Sequence, residues 1–424
     1  MGLLDRLLGR TPPAPVALAA PPAPRLVPLG EAFSPTQPKS GRRRLIGRQA
    51  ELARILQALQ EDRAHVVLYS ERGRGKTSLS NMAVEALRRS GAIVARHTCE
   101  AGTTFETLMR GLMHDLPPAL LAARIGPERG ADEGCEGALP PGTLRPSDVA
   151  SLPQRLTCRS LICLVDEFDR VEDVATRTRL ADTIKLLSDR DVPLLFLIVG
   201  VSENLDQLLG QHPSIQRSVV GVHLPLLTDR DVAQLIAKGG KEAGFTFLQS
   251  AVARIIVLAR GMPYMAQLLG LRLTQAAAAR GDTQVSEEDF DSAVIRMVED
   301  ASPRVLALYG ALTDQGQDAE MAHALRRVAT APQDAWGRIQ VYQGAGDNVL
   351  VGGRPIGIAC WERLFAAGVL QPSIPGSGLF VFAERALMHH ALLLAAREVA
   401  LLDGPDAARE PSAAARSLHA VSRS

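Results

Sequence analysis

The stretch HVVLYSERGRGKTSLSNMAVEALRRS, residues 65–90, constrains this chain more than any other part of it. Its opening is rich in valine and leucine without strict alternation, its middle turns through Gly73 and Gly75, and its last dozen residues have helical spacing. A strand buried on both faces, followed at once by a glycine turn and a helix, belongs in a parallel sheet with crossover helices. Four more runs repeat the strand pattern: GAIVARHTC (91–99), SLICLVDEF (160–168), VPLLFLIVG (192–200) and SVVGVHLPL (218–226). Helical stretches lie between them, so the expected class is α/β with a five-stranded parallel sheet.

The first turn carries chemistry. Its strand is read as ending at Tyr69 and its helix as starting near Thr77. Backbone N–H groups of such a loop, with the positive end of the helix, cradle phosphates. The nucleotide-binding candidates here are Ser70, Glu71, Arg72, Gly73, Arg74, Gly75, Lys76, Thr77 and Ser78. Lys76 is placed to contact the β- and γ-phosphates, and the Thr77 hydroxyl to complete a Mg²⁺ shell. Ser70 stands where the usual loop has its first glycine; that position leaves the strand, where a negative φ suffices.

A second strand end, LICLVDEFDR, delivers Asp166 and Glu167. Asp166 there would hold the metal through water, and Glu167 would polarise the attacking water. A buried strand ending in two acids has little structural purpose without a cation. Asp169 reads either as a cap or brace of the next helix or as having a direct role in the site. The fourth strand runs into GVSENL, which puts Ser202 and Asn204 beside the acids, either to orient water or γ-phosphate or to cap the helix that follows. Before the fifth strand, HPSIQRS offers Arg217, either as an arginine finger toward a neighbouring subunit's nucleotide or as a solvent-facing side chain.

Of 47 basic residues only Lys39, Lys76, Lys185, Lys238 and Lys241 are lysines, so arginine clusters carry little weight and a lysine in a motif stands out. Net charge is +1, which leaves no global field toward nucleic acid or anionic lipid. Five scattered cysteines without metal or disulfide spacing suit a reducing cytoplasm. No apolar run reaches transmembrane length, and MGLLDRLLGR is too short and charged for a secretory signal. Residues 1–10 read as a short amphipathic helix, either a frayed end or a docking peptide, and residues 11–41 as a Pro/Ala-rich linker. The sheet domain then spans 42–227, a helical region 228–300 and a mixed region 301–402, with a tail at 403–424. GPERGADEGCEGALPPGT (126–143) reads as an exposed loop.

LIGRQAEL, YSERGRGKTSL, LVDEFDR, HPSIQRS and RGMP, in this order, resemble the AAA+ superfamily, in its branch of initiator-like and signal-transduction ATPases. The resemblance implies a P-loop NTPase sheet, a helical lid and a C-terminal winged-helix-like domain. It also implies that Ile46, Gly47 and Arg48 border the adenine, that Gly261, Met262 and Pro263 form the lid's nucleotide contact, and that Arg260 or Arg272 senses phosphate.

The helix ACWERLFAAG followed by the hairpin in VLQPSIPGSGLFVFAE has a winged-helix layout, yet residues 301–400 hold eight arginines, eight acids and no lysine. Phosphate neutralisation dominates DNA affinity, so this face suits a protein-interaction or autoinhibitory role better than DNA. The expected function is a cytoplasmic ATPase switch using ATP and Mg²⁺, with nucleotide-dependent self-association and an unidentified protein partner. The alternatives are a DNA-associated initiator- or transposition-type ATPase and an ATP-binding scaffold with little turnover.

Overall fold

The computed structural model describes residues 27–35, 46–121, 134–157, 160–190, 192–202, 215, 217–374 and 376–402. The amphipathic segment 1–10, Asn204 and the tail 403–424 lie outside the described residues. The chain enters the sheet domain through α1 (Gln49–Gln60), β1 (His65–Ser70), α2 (Lys76–Arg89), β2 (Ile93–Thr98) and α3 (Phe105–His114). It continues with β3 (Leu161–Asp166), α4 (Val174–Asp189), β4 (Leu194–Val201) and β5 (Val219–His223). All five expected strands form, in the parallel order β2-β3-β4-β1-β5.

The register fixes the site. Ser70 of β1 lies opposite Val201 of β4, Val165 of β3 opposite Ile198, and Asp166 opposite Thr98 of β2. The loop after β1, the acids after β3 and the residue after β4 therefore leave the sheet along one edge, where parallel sheets place their ligands. Val66, Leu68, Ile162, Leu164 and Leu197 pack beneath α1 and α2 on one face. Val67, Cys163, Val165, Phe196 and Ile198 pack against α3 and α4 on the other. Thr104 and Thr107 close α3 with a capping box, and Asp173 caps α4 by accepting from Ala175 and Thr176 N–H. The segment expected as an exposed loop over 126–143 is in part core: Cys135, Ala138 and Leu139 are buried beneath α3. Gly134 is required there, since a Cβ would meet the His114 carbonyl at 2.4 Å.

Beyond β5 come α5 (Asp229–Ala243), α6 (Gln249–Ala259), α7 (Pro263–Ala279) and α8 (Glu288–Glu299), the expected helical lid. The linker reading of 11–41 needs correction over 27–35. Residues Leu29–Ala32 form a helical turn, and Phe33 is fully buried in the lid, edge-on to Phe247. Gly239 of α5 and Gly270 of α7 make its slot, because a Cβ on either would lie 2.4–2.5 Å from the Phe33 ring.

The remaining chain forms α9 (Pro303–Leu312), α10 (Ala319–Thr330), β6 (Ile339–Gln343), β7 (Asn348–Val351), β8 (Arg354–Gly357), α11 (Ile358–Ala366), β9 (Leu370–Ile374), β10 (Leu379–Phe382) and α12 (Arg385–Leu402). The expected helix-then-hairpin is α11 with β9 and β10. Unforeseen are β6–β8, which extend the hairpin into an antiparallel sheet of order β8-β7-β6-β10-β9. These strands are short, partly exposed and broken by glycines, so their periodicity is faint. Lid and C-terminal module share one core, from Leu227, Ile255 and Met262 through Met297 and Val305 to Leu325, Leu364 and Met388. Among the described residues no helix is long and apolar enough to cross a membrane.

Truncating Phe33→Ala empties a slot that the two glycines cannot close. It is expected to cost about 3–5 kcal/mol, read as a lower midpoint in guanidinium denaturation. An unchanged midpoint would remove this anchor from the account.

Candidate functional site

The phosphate loop has the backbone the sequence asks for. Gly73 (φ 81°) and Gly75 (φ 92°) occupy the left-handed region, while Ser70 ends β1 fully buried and needs no positive φ. Gly75 precedes α2, no side chain caps that helix, and nothing lies within 4 Å of where a Gly75 Cβ would be. An uncapped helix start facing open space has the N–H groups and room to accept an anion. Lys76 Nζ donates to the Ser70 carbonyl at 2.8 Å and the Glu71 carbonyl at 2.9 Å. Burial pushes its ammonium down to about 8, with Asp169 and then Asp166 pulling the other way. Lysine and acids thus share one electrostatic neighbourhood. Thr77 and Ser78 stand half-buried in the first turn of α2.

Opposite the loop, Asp166 is buried and fully engaged. Its Oδ1 accepts from Glu167 N–H at 3.0 Å, and its Oδ2 from Arg96 Nη2 at 2.9 Å. Arg96, unremarked in the sequence, also donates to Asn81 Oδ1 of α2 at 2.9 Å. Glu167 adopts a left-handed backbone (φ 54°), which costs a non-glycine residue about 1–2 kcal/mol and turns its side chain off the strand. That side chain is half exposed and meets Arg170 at 3.0 Å. The acids' field reaches Cys99, whose thiol is pushed up to about 12 by burial and then by Asp166, Asp169 and Glu167. Asp169 does not cap the following helix, which Asp173 does; its Oδ1 accepts Val201 N–H at 2.7 Å and so fixes the β4 end beside buried Ser202.

The C-terminal module lies directly on this loop. Glu71 is gripped by Arg385 through Nε and through Nη2, the latter at 2.8 Å, and by Arg74 at 3.2 Å. Burial alone would raise the Glu71 carboxyl, but Arg385 and Arg74 outweigh it and hold the group below its usual value. Arg74, fully buried, donates to the Leu224 carbonyl at 2.8 Å and the Trp336 carbonyl at 2.6 Å. A ring stack reinforces the seam: Tyr69 on His223 at 4.9 Å, His223 on Trp336 at 4.5 Å. No sequence signal marks Arg385 or Trp336, since both lie outside every motif; only an unusual acid inside a phosphate loop hints at a distant cation.

Other expected residues divide. Gly47 (φ 66°) reaches the core–lid seam, with Asp231 at 2.5 Å from where its Cβ would be, and Ile46 before it is partly buried. Arg48 is buried and braces the seam, donating to the carbonyls of Pro225 (2.7 Å) and Arg74 (3.3 Å). Pro263 starts α7, preceded by Met262, whose methyl would collide with a Cβ on Gly73. Arg72 is exposed at the mouth of a cavity of about 1120 Å³ between loop, lid and C-terminal module, lined also by Ser202, Arg272 and Arg385. Neither sensor candidate is free: Arg260 donates to the Ala331 carbonyl, and Arg272 meets Asp300 at 2.6 Å. Arg217 is exposed in the turn before β5.

The residues fit a magnesium nucleotide. Open space before Gly75, free N–H groups of α2 and the Lys76 ammonium suit phosphate, and Thr77 with Asp166 are oxygen donors of the kind magnesium takes. Residues 44–198 match the AAA ATPase domain. A comparison with curated proteins finds no significant match. Among solved structures the chain is similar to the Walker-type ATPase PABY2304 of Pyrococcus abyssi, at 15% identity and a TM-score of 0.50, covering 85% of this chain and 99% of that one. It is also similar to the Aeropyrum pernix ORC2 protein (16%, TM-score 0.47, 87% and 98% covered). A third is the Thermotoga maritima RuvB Holliday junction branch migration motor (14%, TM-score 0.41, 83% and 97%). At such identity the first of these shows a shared fold.

Three histidines make the fold sensitive to acid. His65 is pushed down to about 4 by burial, His223 to about 4 by burial and then Arg74, and His389 to about 4 by burial and then Arg385. Unfolded histidine titrates near ~6.5, so the folded state binds fewer protons below that pH. The stability from keeping these rings neutral is fully present above about pH 6.5 and is lost on acidification toward pH 4. The thermal midpoint is expected to fall between about pH 7 and pH 5, and His389→Gln to flatten that slope. A midpoint independent of pH there contradicts this account.

Proposed function

We propose that this chain, an AAA+ P-loop ATPase by its matched domain and its fold, uses Mg-ATP to set the position of its C-terminal module. The observation that carries the reading is the Glu71–Arg385 pair, which ties a residue of the phosphate loop to helix α12. Phosphate entering the cradle would draw Lys76 Nζ from the Ser70 and Glu71 carbonyls and rearrange the strand of loop that Arg385 holds. Occupancy and module position are then coupled through differential contacts.

When bound, magnesium supplies charge neutralisation on the triphosphate. Thr77 and Asp166 would hold it, and Lys76 with the α2 N–H groups would hold the β- and γ-phosphates. Ile46, Gly47 and Pro263 would border the base. Glu167, released from Arg170, takes the proton of the attacking water, and Ser202 orients it. Arg217, exposed before β5, would reach the nucleotide of a neighbouring copy, which makes self-association part of the reading. The C-terminal module, with as many acids as arginines and no lysine over 301–400, suits a protein partner in the cytoplasm rather than DNA. A specific observation favours a second reading, a scaffold of slow turnover: Glu167 is paired with Arg170.

Lys76→Ala is expected to abolish nucleotide binding, and unchanged affinity would refute the cradle. Glu167→Gln is expected to keep binding but lose at least ~100-fold in hydrolysis, about 3 kcal/mol of transition-state stabilisation. Hydrolysis at the parent rate would end the role given to Glu167; tight binding with negligible parental turnover would establish the scaffold instead. Arg385→Ala is expected to speed amide exchange over residues 331–338 without nucleotide, and unchanged exchange would remove the coupling.

A further inference from the structure

We propose that Arg96 is a positioning residue that competes with magnesium for Asp166 and thereby sets the metal concentration at which nucleotide binds. The proposal rests on the reading of Thr77 and Asp166 as the metal's holders.

The geometry is specific. Arg96 stands two residues before Thr98 on β2, and Thr98 is the register partner of Asp166 on β3, so Arg96 and Thr98 share a face of the sheet. From there the guanidinium spans two elements, with Nη2 on Asp166 Oδ2 and Nη1 on Asn81 Oδ1, each at 2.9 Å. Asn81 lies four residues beyond Thr77 on α2, hence on the same helix face as the other metal holder. Its backbone is fastened as well, since Arg96 N–H donates to Asp115 Oδ2 at 2.7 Å.

With Glu167 N–H on Oδ1, both oxygens of Asp166 already have donors, one of them a full positive charge. A buried carboxylate without a cation is costly, which is why one is supplied here before any metal arrives. A divalent ion approaching Asp166 meets that charge and must displace it or share the carboxylate with it. Exposure decides which partner yields: the Arg96 side chain is 39% exposed and that of Asp166 6%, so the arginine can turn toward water while the carboxylate cannot. Lys76, Asp169 and Glu167 also face this ground; Lys76 adds a second positive charge, and the two acids offset it.

The test uses the full-length protein and a fluorescent ADP analogue, with affinity followed across buffered free Mg²⁺. Arg96→Gln removes the charge while keeping a donor for Asn81. It is expected to lower the half-saturating Mg²⁺ about tenfold, the scale of losing one charge-assisted contact. Arg96→Lys, which keeps the charge, is expected to stay near the parent. Asn81→Ala, which frees the guanidinium from its second anchor, is expected to move the midpoint the same way by a smaller factor. It serves in place of Arg96→Gln should that variant not fold. An unchanged or higher Mg²⁺ midpoint in Arg96→Gln overturns the proposal alone, as it makes Arg96 a prop for Asp166. Parental binding indifferent to Mg²⁺ overturns the metal reading, and this proposal with it.

Discussion

A carboxylate planted in a glycine turn at a helix start would repel any anion brought there, unless something neutralises it. In this chain Arg74 and Arg385 neutralise Glu71 together, one from the loop itself and one from a helix 314 residues away in sequence. Largely buried, the triad must stay complete, because removing one member would leave charge stranded near the core. Much else is arranged around it. Arg74 carries the link on to the Leu224 and Trp336 carbonyls, Arg48 supports the loop from behind, and the Tyr69–His223–Trp336 stack covers the seam. The loop after β1 is thus held in place by three regions of the chain.

The absent glycine at position 70 has a simple physical answer. Glycine is needed where the backbone turns left-handed, and the loop does that at residues 73 and 75, where glycines stand. Residue 70 is still strand, paired with Val201, and its hydroxyl donates to the Glu71 carbonyl. A departure from the usual pattern at that point costs the backbone nothing.

What was legible in the sequence was local. Runs of valine and leucine marked all five parallel strands, and strand ends placed Lys76, Asp166, Glu167 and Ser202 along one edge, because parallel order brings C-terminal ends together. Contacts set by long-range packing were not legible. Phe33 looked like linker because one aromatic among prolines has no period, and its slot depends on glycines more than 200 residues onward. Asp169 looked like a helix brace because helices start near it, whereas its true partner, Val201 N–H, belongs to the neighbouring strand. Arg96 and Arg385 were invisible for a different reason. In a chain so rich in arginine, no single one stands out until its partner is seen.

The apolar core shared by the lid and the C-terminal module has a mechanical result. Side chains from Leu227 to Leu393 belong to one continuous apolar core, so bending either region alone would pull apart packed contacts of the other. A movement of both together would have to act through the crossing from β5 at His223 to Thr228, where the carbonyls of Leu224 and Pro225 accept from Arg74 and Arg48 and Leu226 N–H donates to the Ala335 carbonyl.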